Sequence, residues 1–186
     1  MYSTTYQKAV ETVLEHEGGF VNDATDPGGA TNFGVSLRFL ISQGEIDLDH
    51  DGFNDFDFDH DGDVDVDDIR AMTREAAIEL YHVAWWEKFH YDALPAGVSI
   101  KTFDLAVNMG ALQAHKLLQR ACRACGQSIK DDGIIGARTR QALFDIDQWG
   151  AMTALRSEAA GFYRALIAAK PKFEKYRDGW LNRAYS

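Results

Sequence analysis

The apolar positions of this chain recur mostly three and four residues apart, which predicts a mainly helical protein. Tyr6, Ala9, Val10, Val13 and Leu14 mark one face of a first helix, with Ser3 or Thr4 as its cap and Gly18 or Gly19 as its end. Ala76, Ala77, Leu80, Tyr81 and Ala84 mark another face, capped by Thr73 and ending at Trp85-Trp86. A strongly apolar stretch, Val98 to Met109, carries Asp104 and Asn108 as isolated polar residues, and Gly110 stops it. Leu117, Leu118 and Ala121 define a helix over 114–124. Thr139 is placed as the cap of a helix over 140–144. Met152, Leu155, Ala159, Phe162, Tyr163 and Leu166 line a long helix from Trp149 to Lys170, ended by Pro171. The aromatic tail (Phe173, Tyr176, Trp180, Leu181, Tyr185) is expected to dock rather than hang free.

The pattern fails in three places. From Phe20 to Val35 the chain reads as irregular or a small hairpin, with the turn signal Asp26-Pro27-Gly28-Gly29; Ser36 then caps a short helix over 37–43. Tyr91 to Pro95 reads as a linker.

The remaining break is the acidic stretch, where D-x-D-H-D-G-x-x-D occurs twice with a period of ten, from Asp47 and from Asp57. Calcium loops of the EF-hand type take oxygens from positions 1, 3, 5, 7, 9 and 12 and need glycine at position 6. The second unit supplies Asp57, Asp59, Asp61, Gly62, the Asp63 carbonyl, Asp65 and Asp68, with Val64 at the apolar position 8 and a short exit helix following from Val66 to Met72. The first supplies Asp47, Asp49, Asp51, Gly52, the Phe53 carbonyl and Asp55, but Phe58 stands at its position 12. The two loops share Asp57 and Phe58, so one good calcium site with a weaker second, or a tandem ladder, is expected. His50 and His60 fall at the non-ligating position 4. Glu45 to Asp68 hold 12 acids and no Lys or Arg; the remaining 17 acids face 19 bases. The formal charge of −10 is therefore one local device, and it does not oppose an anionic substrate elsewhere.

The candidate chemistry sits at the end of the first helix. Glu17 would lie at the negative end of the helix dipole, which favours a protonated carboxyl, and it opens a turn-rich run holding Asp23, Asp26 and Thr31. A general acid at neutral pH needs that bias. Trp86 is read either as core or as a sugar-stacking platform. Asn108 is read either as a structural residue or as one lining a cleft, and Asp104 as structural. Cys122 and Cys125 form a lone C-x-x-C, read as two packed thiols; with no further cysteine there is no disulfide framework. At 186 residues and 46% hydrophobic, the chain fits one domain with an appended lobe. No apolar run of 18 or more residues points to a membrane span, and the N-terminus shows no signal-peptide pattern.

Glu17-Gly18-Gly19-Phe20-Val21-Asn22-Asp23, followed by Asp26-Pro27-Gly28-Gly29-Ala30-Thr31-Asn32-Phe33-Gly34-Val35-Ser36, resembles the signature of glycoside hydrolase family 108, with Phe20 where the family usually has Tyr. The resemblance continues through Asp68 to Thr73 and Tyr81 to Trp86, while Leu94-Pro95, Phe103 to Gly110, Leu118-Gln119-Arg120, Asp132-Gly133-x-x-Gly136-x-x-Thr139 and Gly179 to Arg183 resemble the predicted peptidoglycan-binding partner domain of that family. It implies an α+β lysozyme-like fold: a helical bundle with a small β-hairpin beside a catalytic cleft. The implied domains are a catalytic lobe over 1–93, with the calcium segment inserted at 45–68, and a helical lobe over 94–186 resembling a predicted peptidoglycan-binding domain. The implied activity is that of a muramidase, many of which are phage endolysins, cutting the β-1,4 bond between N-acetylmuramic acid and N-acetylglucosamine. By the motif Glu17 is the acid, Asp26 and Thr31 position water, and Asp23 is a rival carboxylate; Asp23, Asn108 and Trp86 are the expected substrate contacts. Peptidoglycan is the expected partner, with no nucleic acid and no membrane insertion. The chain is expected to be a monomer made in the cytoplasm that reaches the wall through a separate pore such as a holin. A lytic transglycosylase and a non-catalytic, calcium-dependent wall-binding module remain open as alternatives.

Overall fold

The computed structural model describes residues 1–16, 19–22 and 29–186. It is mainly helical, as the periodicity predicts, with the small antiparallel hairpin that the resemblance implies. In order the elements are α1 (Thr4–His16), β1 (Thr31–Asn32), β2 (Val35–Ser36), α2 (Leu37–Gln43), α3 (Val66–Ala71), α4 (Arg74–Tyr81), α5 (Ala96–Met109), α6 (Ala111–Ala124), α7 (Ala137–Phe144), α8 (Gln148–Ala169) and α9 (Arg177–Tyr185). A π-helical turn, His82–Glu87, follows α4. The chain divides into two compact units, one of residues 10–84 and one of residues 1–9 with 85–186. No helix among the described residues is long and apolar enough to cross a membrane.

The first unit is organised on its hairpin. Phe33 (φ 49°) and Gly34 (φ 77°) form a two-residue turn with both φ positive, the geometry that matches strand twist. Glycine takes this conformation freely; Phe33 does not, and the Tyr81 hydroxyl holds its carbonyl at 3.0 Å. The Asn32 amide donates to the carbonyls of Ile69 (3.0 Å) and Met72 (3.4 Å), tying the strand to the end of α3. Val21 pairs with the outer edge of Thr31 through two backbone bonds of 2.8 Å. Val10, Val13, Val35, Leu40, Ile69, Leu80 and Tyr81 are buried in this unit.

In the second unit α5, α6, α8 and α9 pack on one another. Ser3 starts α1, its hydroxyl accepting from the Tyr6 N–H at 3.1 Å. Asp147 caps α8 by accepting from Gly150 at 2.8 Å. The tail docks as α9, and Trp180 stacks on Tyr163 at 5.2 Å between centroids. Two expectations are corrected. Thr139 does not cap a helix: α7 begins at Ala137, and Thr139 lies buried inside its first turn. Tyr91 is not linker but core, fully buried, with its hydroxyl 2.7 Å from His115 Nε2.

Candidate active site and acidic loops

Glu17, Asp23 and Asp26 lie outside the described residues. Of the carboxylate–threonine arrangement, Thr31 is described: half-buried at the start of β1, paired with Ser36 on one side and bridged to Val21 on the other. Its hydroxyl has the Gly29 carbonyl at 3.5 Å, a long contact that leaves the oxygen able to accept another bond. Phe20 is 36% exposed under the Arg70 guanidinium, 5.0 Å from its ring centre.

Trp86 is not a sugar platform. It is 1% exposed, with Tyr6, Tyr91 and Phe103 at centroid distances of 5.3, 5.7 and 5.5 Å. Stacking on a pyranose needs an open ring face, and this indole is an aromatic core residue. Asn108 is exposed, and its Oδ1 accepts from the Tyr163 hydroxyl at 2.7 Å, which leaves its amide group for other partners. Asp104 is structural: its carboxylate meets Lys101 Nζ at 3.2 Å and Arg183 Nε at 3.6 Å, all three side chains buried.

The acidic repeat folds twice in the same way. Asp47 accepts from the N–H groups of Asp51 and Gly52, each at 3.1 Å. Asp57 does the same with Asp61 (3.2 Å) and Gly62 (3.0 Å). Gly52 and Gly62 have φ of 92° and 97°, and His50 and His60, both exposed, sit left-handed at 63° and 58°. The loops close differently. In the second, Asp68 accepts from Phe58 N–H at 2.6 Å and from Asp65 N–H at 2.8 Å. In the first, with Phe58 at position 12, Asp55 supplies that closure, accepting from Leu48 N–H at 2.6 Å.

Asp65 and Asp68 together form the capping box of α3. Three groups of carboxylates each bring their oxygens within 4.8 Å of one another: Asp47, Asp49 and Asp51; Asp57, Asp59 and Asp61; Asp63, Asp65 and Asp68. The crowding raises two carboxyls above the usual range, Asp59 through desolvation and then the Asp61 charge, and Asp63 chiefly through the Asp61 charge. An all-oxygen donor set with repeated glycine turns suits a hard divalent cation.

The second unit also holds a buried polar network that no local pattern in the sequence marks. His115 Nδ1 donates to the Gly133 carbonyl at 3.0 Å, so its Nε2 accepts the Tyr91 hydroxyl proton. Burial holds the imidazole pKa down, in keeping with this neutral form. Gly133 N–H in turn donates to Gln119 Oε1 at 2.7 Å. A side chain at Gly133 would meet Leu112 Cδ1 at 2.4 Å, and its φ is +82°, so only glycine fits. Cys122 is a buried free thiol pushed up to about 11, as packed and unreactive as its burial implies; Cys125 is also free.

A family model described as glycosyl hydrolase 108 matches residues 10–110, and one described as a predicted peptidoglycan domain matches residues 113–185. The chain belongs to the glycosyl hydrolase 108 family and is a glycoside hydrolase. Twelve chains of solved structures match it; one, titled "Structure of Brucella abortus SagA", is 29% identical, covers 97% of this chain and 89% of that one, and superposes with a TM-score of 0.72. No curated protein matches.

Proposed function

We propose that this hydrolase is an N-acetylmuramidase, cutting the β-1,4 bond between N-acetylmuramic acid and N-acetylglucosamine in peptidoglycan. The match of the family model to residues 10–110 carries this reading, and the adjoining match to a peptidoglycan domain supports it. Helix α1 ends at His16, and Thr31 opens the first strand of the hairpin. In this reading Glu17 protonates the leaving oxygen. Asp26 and Thr31 hold the attacking water, which inverts the anomeric centre, and Asp23 is the rival for the carboxylate role. Asn108 offers its amide to the glycan. The enzyme acts as a monomer, is made in the cytoplasm and reaches the wall through a separate pore such as a holin. Mass spectrometry of digested, purified peptidoglycan is the test: free reducing muramic ends are expected. Products ending in 1,6-anhydro-muramic acid would instead make the protein a lytic transglycosylase.

Calcium, in this reading, braces the inserted loops rather than entering the chemistry. Asp57, Asp59, Asp61 and the Asp63 carbonyl would hold it, with Asp65 and Asp68 turning from their capping bonds toward it; Asp47, Asp49, Asp51, Asp55 and the Phe53 carbonyl form the weaker second set. The ion would supply the positive charge that the crowded carboxylates lack. An ion present at a hundred times its dissociation constant adds about 2.7 kcal/mol to stability. For a chain of this size that corresponds to a melting temperature higher by roughly 5–10 °C in calcium than in chelator. Equal melting curves in the two conditions would discard the calcium proposal.

A further inference from the structure

Beside the buried network of Gln119 and Gly133 lies an open cleft of about 540 Å³, within the second unit. Its floor is chemically closed. Gln119 Nε2 donates to Asp132 Oδ1 at 2.9 Å, to the Ile134 carbonyl at 3.0 Å and to Thr139 Oγ1 at 3.2 Å, so no floor group is left wanting a ligand. The rim differs. Lys130 and Arg138 line it, both exposed, and among the described residues neither makes an ion pair, whereas nearby Arg120 and Arg123 both bind Asp131. On the same rim, Asp132 spends one oxygen on the Ile134 N–H and Gln119 and keeps the other open. Ile129, Ile134 and Ala137 add an apolar wall, and Ile134 is 69% exposed. Helix α7 starts in the cleft with no side-chain cap, which adds a further preference for negative charge.

Two cations, one carboxylate with a spare oxygen and a short apolar wall suit a small ligand carrying both a carboxylate and an ammonium group. We propose that this cleft binds the free end of the wall's peptide stem, its carboxylate between Arg138 and Lys130 and its ammonium on Asp132. The proposal rests on the reading that peptidoglycan is the substrate; it adds which part of that polymer the second unit grips.

The test is calorimetric titration of the full chain with synthetic L-alanyl-D-glutamyl-diaminopimelyl-D-alanine, with its carboxyl-amidated form and with its amine-acetylated form. Each modification is expected to weaken binding tenfold or more. The Lys130→Ala, Arg138→Ala double variant should lose at least tenfold in affinity for the free peptide at an unchanged melting temperature. Asp132→Asn, which retains an acceptor for the Ile134 N–H, should bind the acetylated and free peptides alike. Equal binding of all three peptides by the unaltered protein, no binding at millimolar concentration, or unaltered affinity in the double variant would each overturn the proposal. The two readings fail separately: hydrolysis of peptidoglycan without stem binding removes the cleft proposal alone, whereas stem binding without hydrolysis removes the muramidase reading alone.

Discussion

Glu17→Gln should leave a folded protein that releases reducing ends from peptidoglycan about a thousand-fold more slowly, or not at all. The amide matches the carboxyl in size and can still form hydrogen bonds, but it has no proton to give a departing sugar oxygen. General acids contribute roughly a hundred- to ten-thousand-fold to such reactions, which sets the expected size of the loss. Circular dichroism and the melting temperature should match those of the unaltered chain, separating a chemical loss from unfolding. A variant that digests sacculi at the unaltered rate would remove Glu17 from the chemistry and require another acid to be found.

Asp104→Ala should be the most damaging core substitution, costing about 3–5 kcal/mol. Asp104 is 1% exposed and stands between Lys101 and Arg183, and the Lys101 ammonium also donates to the Arg183 carbonyl at the end of α9. Removing the carboxylate takes the counter-charge of the buried Lys101 ammonium away. Burial lowers the Lys101 pKa, and the Asp104 charge opposes that lowering. Without Asp104 the depression deepens, and a lysine whose folded pKa lies below its unfolded value penalises folding at all lower pH. The deficit should therefore shrink as pH rises toward the unfolded value of 10.5, which urea titrations at a series of pH values would show. A loss under about 1 kcal/mol at neutral pH would mean the cluster is solvated rather than buried.

The helices were legible because burial on one face imposes a period on the sequence, and α1, α4, α6 and α8 carry it plainly. The repeated turns of the acidic segment were legible because glycine must recur where φ turns positive, as Gly52 and Gly62 do. What stayed hidden was polar. Lys101 and Arg183 are 82 positions apart, and His115 finds partners 24 residues before it and 18 after. No local pattern encodes such a meeting. Asp65 and Asp68 show a different limit: read as ion ligands, they also satisfy the start of α3, because one carboxylate suits either a cation or a backbone N–H. Trp86 was open to both readings, since an indole at a helix end looks the same whether a sugar or Phe103 covers it. Of the candidate site, the motif marks Glu17, Asp23 and Asp26, which lie outside the described residues, whereas Thr31 is placed by the hairpin.

The segment 128–136 is a loop by its backbone, but Gly133 is bonded at both its N–H and its carbonyl by side chains of α6. To swing out, it would have to break bonds to Gln119 and His115, both buried, and expose their polar atoms unpaired. Its opening free energy should therefore approach that of the helix beneath it rather than that of an ordinary surface loop. A cleft walled by such a segment is already in one shape before anything enters, so a ligand would lose little of its contact energy to ordering the protein.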